Sequence, residues 1–425
     1  VPKVENEIIF HFSVEPISVE PIMKIQHTSF LTRRDFLTSL GLFGVGFVSS
    51  NILFTRNTLP TDSSIPEPGL KSDITVNNKA TTTGYVYDPL FLKHTESWHP
   101  ESAKRLEAIM AELKASGLLA SLQQIPSRAA TFDEVASVHS ISHIEHVKEI
   151  SQAGGGYLDP DTYTNSYTYE AAMMAAGSLI DLTLAVIAGQ VKNGFAFVRP
   201  PGHHALSHRT MGFCIFNNVA IAVKLAQVKQ GLERIAIVDF DVHHGNGTQA
   251  IFEEDPGVLY ISTHQYPHYP GTGRAQEIGR GQGEGTIVNI PLPAGVGDDG
   301  FRAIYTELII PLLRWFKPQL MIVSAGYDCH WDDPLAGLGL SLTGLAWISQ
   351  TLVKLAEELC AGKVVFALEG GYDLKVLSVG VANSVRALLG RDDFADPLGK
   401  SPRREPDLTE YLATVKKIHK VGASQ

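Results

Sequence analysis

The sequence predicts an α/β fold built on an open, mainly parallel sheet with helices on both faces. Three observations carry this expectation. Short apolar runs at 194–198, 235–240, 258–262, 286–290, 319–324 and 364–368 do not alternate cleanly between polar and apolar residues, as expected of strands covered on both faces. Helical segments, notably 301–316 and 343–361, separate several of these runs. The segments richest in His, Asp and Gly lie just after the strands, where ligand crevices open in such sheets.

In chain order, residues 1–54 hold an upstream extension and a basic-then-apolar segment. Arg33 and Arg34, in LTRRDFL, precede the apolar run 39–54, which is short for a membrane span and interrupted by Gly and Ser. This looks like a twin-arginine export signal, with Met23 at a spacing suited to its first residue and no Ala-x-Ala cleavage site after it. The expectation is a bacterial protein sent to the periplasm, membrane-tethered if the leader is retained. An ordinary buried helix behind two solvated arginines would leave it cytoplasmic. Residues 55–80, rich in Thr, Ser, Pro, Asn and Asp, read as a linker.

A single catalytic domain is expected over 81–388. Leu106, Ile109, Met110 and Leu113 recur at helical spacing within 101–118, with charged residues on the other face, so a surface helix is expected there. Ala-rich spacing predicts a close-packed helix over 168–188, and a third helix covers about 217–229. Residues 389–425 read as a polar extension, exposed over 389–410, ending in a short helix.

Composition narrows the function. The 425 residues are 44% hydrophobic, enough for a large core, and carry a formal charge of -10. That balance argues against direct nucleic-acid binding and suits a cationic partner. The three cysteines, Cys214, Cys329 and Cys360, are too few and too scattered for a disulfide framework or a thiolate cluster. Sixteen histidines, several beside aspartates, are the unusual feature.

The sharpest segment is IAIVDFDVHHGNGT at 235–248. Asp239, Asp241 and His243 follow an apolar strand at spacings of two, so an extended backbone points them to one side. Asp-x-His is weak alone, but three potential ligands closing a hydrophobic strand are costly to bury without a compensating charge. Asp328, after a second strand and a small-residue turn, offers a third ligand, with Asp332, Asp333 and His330 as alternatives. Two carboxylates and an imidazole suit zinc, and iron or cobalt could take the same set. His203 and His204, behind a rigid double proline, could move protons near neutral pH. Tyr372, after a Gly-Gly turn, could donate to an oxyanion.

Taken together, RPPGHHA, MGFCIFNNVAIA, DFDVHHGNGTQ, ISTHQYPHYPGTG, SAGYDCH and LEGGYDL, with HPESAKRLEAI before them, resemble the zinc-dependent histone deacetylase and acetylpolyamine amidohydrolase superfamily, especially bacterial class II-like deacetylases. The resemblance covers about residues 84–385. It implies the arginase-deacetylase fold, a Zn²⁺ ion on Asp241, His243 and Asp328, and His204 as proton shuttle with His203 supporting. It further implies Asp239 as partner of His203, Asn246 as neutral partner of His204, and Tyr372 polarising the carbonyl.

The same likeness places Phe213, Tyr269 and Gly371 around an acyl-lysine tunnel and Asp159 at its rim, with Asp161 competing for that place. Arg105 is implied behind the metal. A structural K⁺ is implied near Asp239, Asp241, His243, Ser262 and Thr263. Cys329 stands where many relatives have alanine. The implied activity is hydrolysis of acetyl-lysine or a related acyl-amide. An acetylpolyamine or other small acyl-amine is the alternative substrate, and a non-catalytic acyl-lysine binding protein the alternative function.

Overall fold

The computed structural model describes residues 82–421. The arginine-led leader and the whole of the expected linker lie outside the described residues. Among the described residues ten strands form: β1 (Thr83–Val86), β2 (Leu122–Gln124), β3 (Gly155–Tyr157), β4 (Tyr163–Asn165), β5 (Asn193–Ala196), β6 (Ile235–Asp239), β7 (Val258–Gln265), β8 (Ile287–Leu292), β9 (Leu320–Ala325) and β10 (Val364–Leu368). Eight of them make one sheet in the order β2-β1-β5-β10-β9-β6-β7-β8, while β3 and β4 form a separate antiparallel hairpin. Every pairing in the large sheet is parallel. Its inner strands are fully buried apolar runs, because helices cover the sheet.

Helices Ala103–Ala115, Leu342–Cys360 and Leu374–Leu388 pack together, and Thr168–Ile187 packs on Asn218–Gln230. Thr168–Ile187 is long and apolar enough to cross a membrane, but most of it is buried among its neighbours, as Ala-rich spacing permits. The expected 301–316 helix is instead three pieces: Asp298–Ile304, a π turn over Tyr305–Ile309, and Ile310–Phe316. Pro311 has no N–H to give the carbonyl four residues back, so the regular ladder breaks there. The short strands β1 to β4 escaped the sequence reading, since three or four residues carry too little pattern.

Two further expectations gain detail. The Ala103–Ala115 helix has the expected two faces, with Leu106, Ile109 and Leu113 buried and Lys104, Glu107 and Lys114 exposed, but it also buries Arg105. The 389–410 stretch is anchored rather than free: Gly399 accepts from Trp331 Nε1 at 2.9 Å, Leu408 is buried, and Glu405 accepts from the backbone N–H groups of Gly297, Asp299 and Gly300.

Four neighbouring strands, β5, β10, β9 and β6, deliver the chemistry. Their ends are level: Ala196 pairs with Ala367, Ala367 with Ser324, and Ser324 with Asp239. Three spacings of about 4.8 Å put the four following loops within roughly 15 Å of one another.

Candidate active site

Asp241 and His243 leave the end of β6, and Asp328 leaves the end of β9. Their ligand atoms all lie within 4.8 Å of one another, and all three residues are buried. Backbone donors hold the carboxylates. Asp241 Oδ1 accepts from the His243 N–H at 2.9 Å and Oδ2 from the Gly370 N–H at 2.8 Å, while Asp328 Oδ1 accepts from the Val242 N–H at 2.9 Å. Glycine is required at two of these approaches. A Cβ at Gly326 would stand 2.0 Å from Asp241 Oδ2, and one at Gly370 would stand 2.1 Å from Asp328 Oδ2.

These residues fit a divalent cation. Asp328 Oδ2 is buried with no hydrogen-bond partner, although it stands 3.3 Å from His243 Nδ1. Burial and the neighbouring Asp241 carboxylate push Asp328 up to about 7. Burial disfavours charge on His243, yet Asp241 and Asp328 outweigh it and raise the imidazole to about 10. The cluster therefore demands positive charge at its centre.

The paired histidines follow β5. His203 Nδ1 donates to Asp239 Oδ2 at 3.1 Å, and its Nε2 is 3.9 Å from Asp241 Oδ1. Burial opposes charge on His203, but Asp241 and Asp239 prevail and raise it to about 10. His204 behaves oppositely: burial, then the neighbouring His203 and His243, hold it well below the ordinary imidazole range. Its Nδ1 lies 2.8 Å from Asn246 Oδ1, while the Asn246 amide nitrogen faces Met211 Sδ. That orientation makes Nδ1–H the donor and leaves Nε2 with a lone pair. Asn246 opens the Asn246–Phe252 helix, which fixes its place opposite the ring.

A cavity of about 190 Å³ reaches this centre, lined by Asp161, His204, Gly212, Phe213, His243, His268, Tyr269, Leu335 and Tyr372. Phe213 and Tyr372 meet edge to face at 5.8 Å, and Tyr269 meets His204 similarly at 5.2 Å. Phe213 holds a left-handed backbone, φ 68°, with its N–H given to Thr162 Oγ1 at 3.0 Å. Burial raises the Tyr372 phenol well above its ordinary range, so it keeps its proton at neutral pH.

Two expected substrate contacts are not among the residues lining this cavity. Asp159 Oδ1 accepts from the N–H groups of Asp161 and Thr162 in the adjoining turn, and Asp161 is the carboxylate that lines the cavity. Gly371 is buried, and its carbonyl accepts from Arg105 Nε at 2.7 Å. The residues named for potassium gather where β6 meets β7: Asp239 pairs with Ser262, and Thr263 Oγ1 lies 3.4 Å from the Asp239 carbonyl. Cys329 is buried, with its thiol near the Gly326 carbonyl.

Sequence reasoning missed several residues. Glu101 is wholly buried and bridges Arg105 and Arg199; Arg105 continues to the Glu369 carbonyl at 2.5 Å. The Glu101 to Arg105 spacing of four, across the start of the Ala103–Ala115 helix, could have signalled the pair, but it reads equally as a solvated charge face. Glu369 Oε2 accepts from the Gly202 and His203 N–H groups, at 2.7 and 3.2 Å. Asp333, weighed as an alternative ligand, instead accepts from the Tyr372 and Asp373 N–H groups through Oδ2 and from Leu335 through Oδ1. No local signal announces contacts between segments 39 residues apart.

Comparison with known proteins agrees with this arrangement. The family model "Histone deacetylase domain" matches residues 99–388. The chain is 43% identical over 321 residues to "Histone deacetylase 14, chloroplastic" of Arabidopsis thaliana, covering 72% of this chain and 76% of that protein. It is 44% identical over 296 residues to a "Probable deacetylase" of Archaeoglobus fulgidus, covering 69% and 82%. The crystal structure of the HDA15 HD domain superposes with a TM-score of 0.73 at 38% identity, covering 80% of this chain and 95% of that one. With a parallel sheet of matching architecture and these strand-end motifs meeting at one cavity, the chain belongs to the histone deacetylase family and is a deacetylase-type hydrolase.

Proposed function

We propose that this protein hydrolyses acetyl-lysine or a related acyl-amide with a divalent metal, zinc foremost, held by Asp241, His243 and Asp328. The observation that carries this is the meeting of that buried triad, the unprotonated Nε2 of His204 and the phenol of Tyr372 at one narrow cavity. Bound there, the metal would supply polarisation of the acyl carbonyl and acidification of water. Iron or cobalt would use the same three ligands.

The protein's own groups divide the remaining work. Phe213 and Tyr269 hold the methylenes of the acylated chain and keep water out of the neck. His204 Nε2 takes a proton from the attacking water as its oxygen adds to the acyl carbon, and the proton then passes to the amine nitrogen as the C–N bond breaks. Asn246 keeps the ring in the tautomer that can do this. Tyr372 donates to the acyl oxygen as it gains charge. His203, held by Asp239 through Nδ1, presents its ring beside the developing negative charge and supports His204. Asp239, Asp241, His243, Ser262 and Thr263 would surround a structural potassium ion.

The Asp161 carboxylate at the mouth favours a second substrate reading, a small cationic acyl-amine such as an acetylpolyamine. Turnover of acetyl-lysine peptides and acetylputrescine by metal-quantified protein tests both. Asp241→Ala, His204→Ala and Tyr372→Phe should each lose most activity; unchanged rates in all three would refute the assignment. Export to the periplasm belongs to the same proposal, and finding the protein only in the cytoplasm with its leader intact would refute that part.

A further inference from the structure

His268 lines the catalytic cavity but has no part in the chemistry above. Its ring lies nearly parallel to that of His243, with centroids 5.2 Å apart and planes 20° apart. Its Nε2 stands 3.1 Å from the Leu335 carbonyl. A carbonyl only accepts, so Nε2 carries the hydrogen, and in the neutral ring Nδ1 keeps a lone pair. Among the described residues no hydrogen-bond donor meets that atom, and it is not one of the buried unpartnered atoms, so it remains accessible on a residue that lines the cavity. The neighbouring wall groups Phe213, Tyr269 and Leu335 are aromatic or aliphatic. Set among these apolar groups, and apart from His204 and the Asp161 carboxylate that also line the cavity, such an acceptor rewards a substrate that brings a donor and penalises one that covers it without a donor.

Resting on the hydrolase reading, we infer that His268 is a specificity-determining residue. Its Nδ1 accepts from a hydroxyl or ammonium on the chain that carries the acyl amide, so polar acylated amines are preferred to purely aliphatic ones. The Nε2 bond to Leu335 fixes the ring so that the acceptor faces the substrate.

The test uses full-length, metal-loaded protein and one peptide in three forms: acetyl-lysine, acetyl-5-hydroxylysine, and acetyl-4-azalysine, in which a secondary ammonium replaces one methylene. The parent should show a kcat/KM ratio of polar to aliphatic substrate above unity by roughly two- to tenfold, the scale of one hydrogen bond, expressed mainly in KM. The hydroxyl and ammonium forms tell which donor is taken. His268→Phe and His268→Gln should bring the ratio to unity, since Phe has no acceptor and Gln, with its amide nitrogen given to Leu335, holds its oxygen away from the Nδ1 position. His268→Asn, which restores an acceptor near Nδ1, should retain part of the ratio.

Thermal melting separates loss of folding from loss of selectivity, and calorimetry of the three deacylated peptides reads the same ordering without turnover. A ratio unchanged in all variants, or kept by Gln and lost by Asn, would overturn the inference. Absence of turnover on every probe, with the binding preference intact, would sink the hydrolase reading alone.

Discussion

Replacing Asp333 by alanine tests whether a residue outside the metal triad controls Tyr372. The Asp333 carboxylate is 5% exposed and makes three bonds to backbone donors: Tyr372 at 2.7 Å, Asp373 at 3.1 Å and Leu335 at 3.0 Å. Leaving these donors to find water in a crowded turn should cost about 1 kcal/mol each, or roughly 3 kcal/mol of folding stability. The larger consequence is positional. With its backbone released, the phenol no longer meets the acyl oxygen in a fixed place, and losing such a preorganised donor costs on the order of a hundredfold in kcat.

The assay is a double-mutant cycle on an acetyl-lysine peptide, with metal content matched across Asp333→Ala, Tyr372→Phe, the double variant and the parent. If Asp333 acts through Tyr372, the double variant should be about as slow as Tyr372→Phe alone, because the second change removes nothing further. Asp333→Asn, which can still offer one oxygen to Tyr372 and Asp373, should recover most of the rate. Losses that multiply would show that the two residues act independently and would refute the reasoning.

Three other outcomes are expected. Gly326→Ala should empty the metal site without altering a ligand, because the new Cβ would press on Asp241 Oδ2; metal stoichiometry equal to the parent's would contradict this. Asn246→Asp places a carboxylate beside His204, stabilises the imidazolium, and should move the acid limb of the kcat/KM profile to higher pH; an unmoved limb would argue against His204 as the base. Glu101→Gln should cost about 3–5 kcal/mol in denaturant unfolding, since it strands Arg199 and Arg105 in the interior. Burial alone would raise the Glu101 carboxyl, but the two arginines hold it down at about 2, below its ordinary 4.5. Its stabilisation is therefore complete above about pH 4.5 and fades as pH falls toward 2, and the Gln variant should lack that part of the acid dependence.

Much was visible in the chain because it is written locally. Unbroken apolar runs marked β5 to β10, since strands covered on both faces need no alternation. The spacing of Asp239, Asp241 and His243 marked a cluster, because an extended backbone turns alternate residues to one side. Helix Thr168–Ile187 announced itself through small residues, and the family motifs located His203, His204 and Tyr372 on strand-end loops.

Tertiary structure alone decided which loops became neighbours. Sheet order sets β10 and β9 between β5 and β6, so segments far apart in sequence share one cavity. That order made Asp333 a support for Tyr372 rather than a ligand, and Asp161 rather than Asp159 the carboxylate at the mouth. It also buried Glu101 with two arginines and turned His268 onto His243. A strand or a ligand pair is specified by residues within a few positions of each other. The partners of a buried carboxylate are specified by whichever backbone donors the completed fold brings to it.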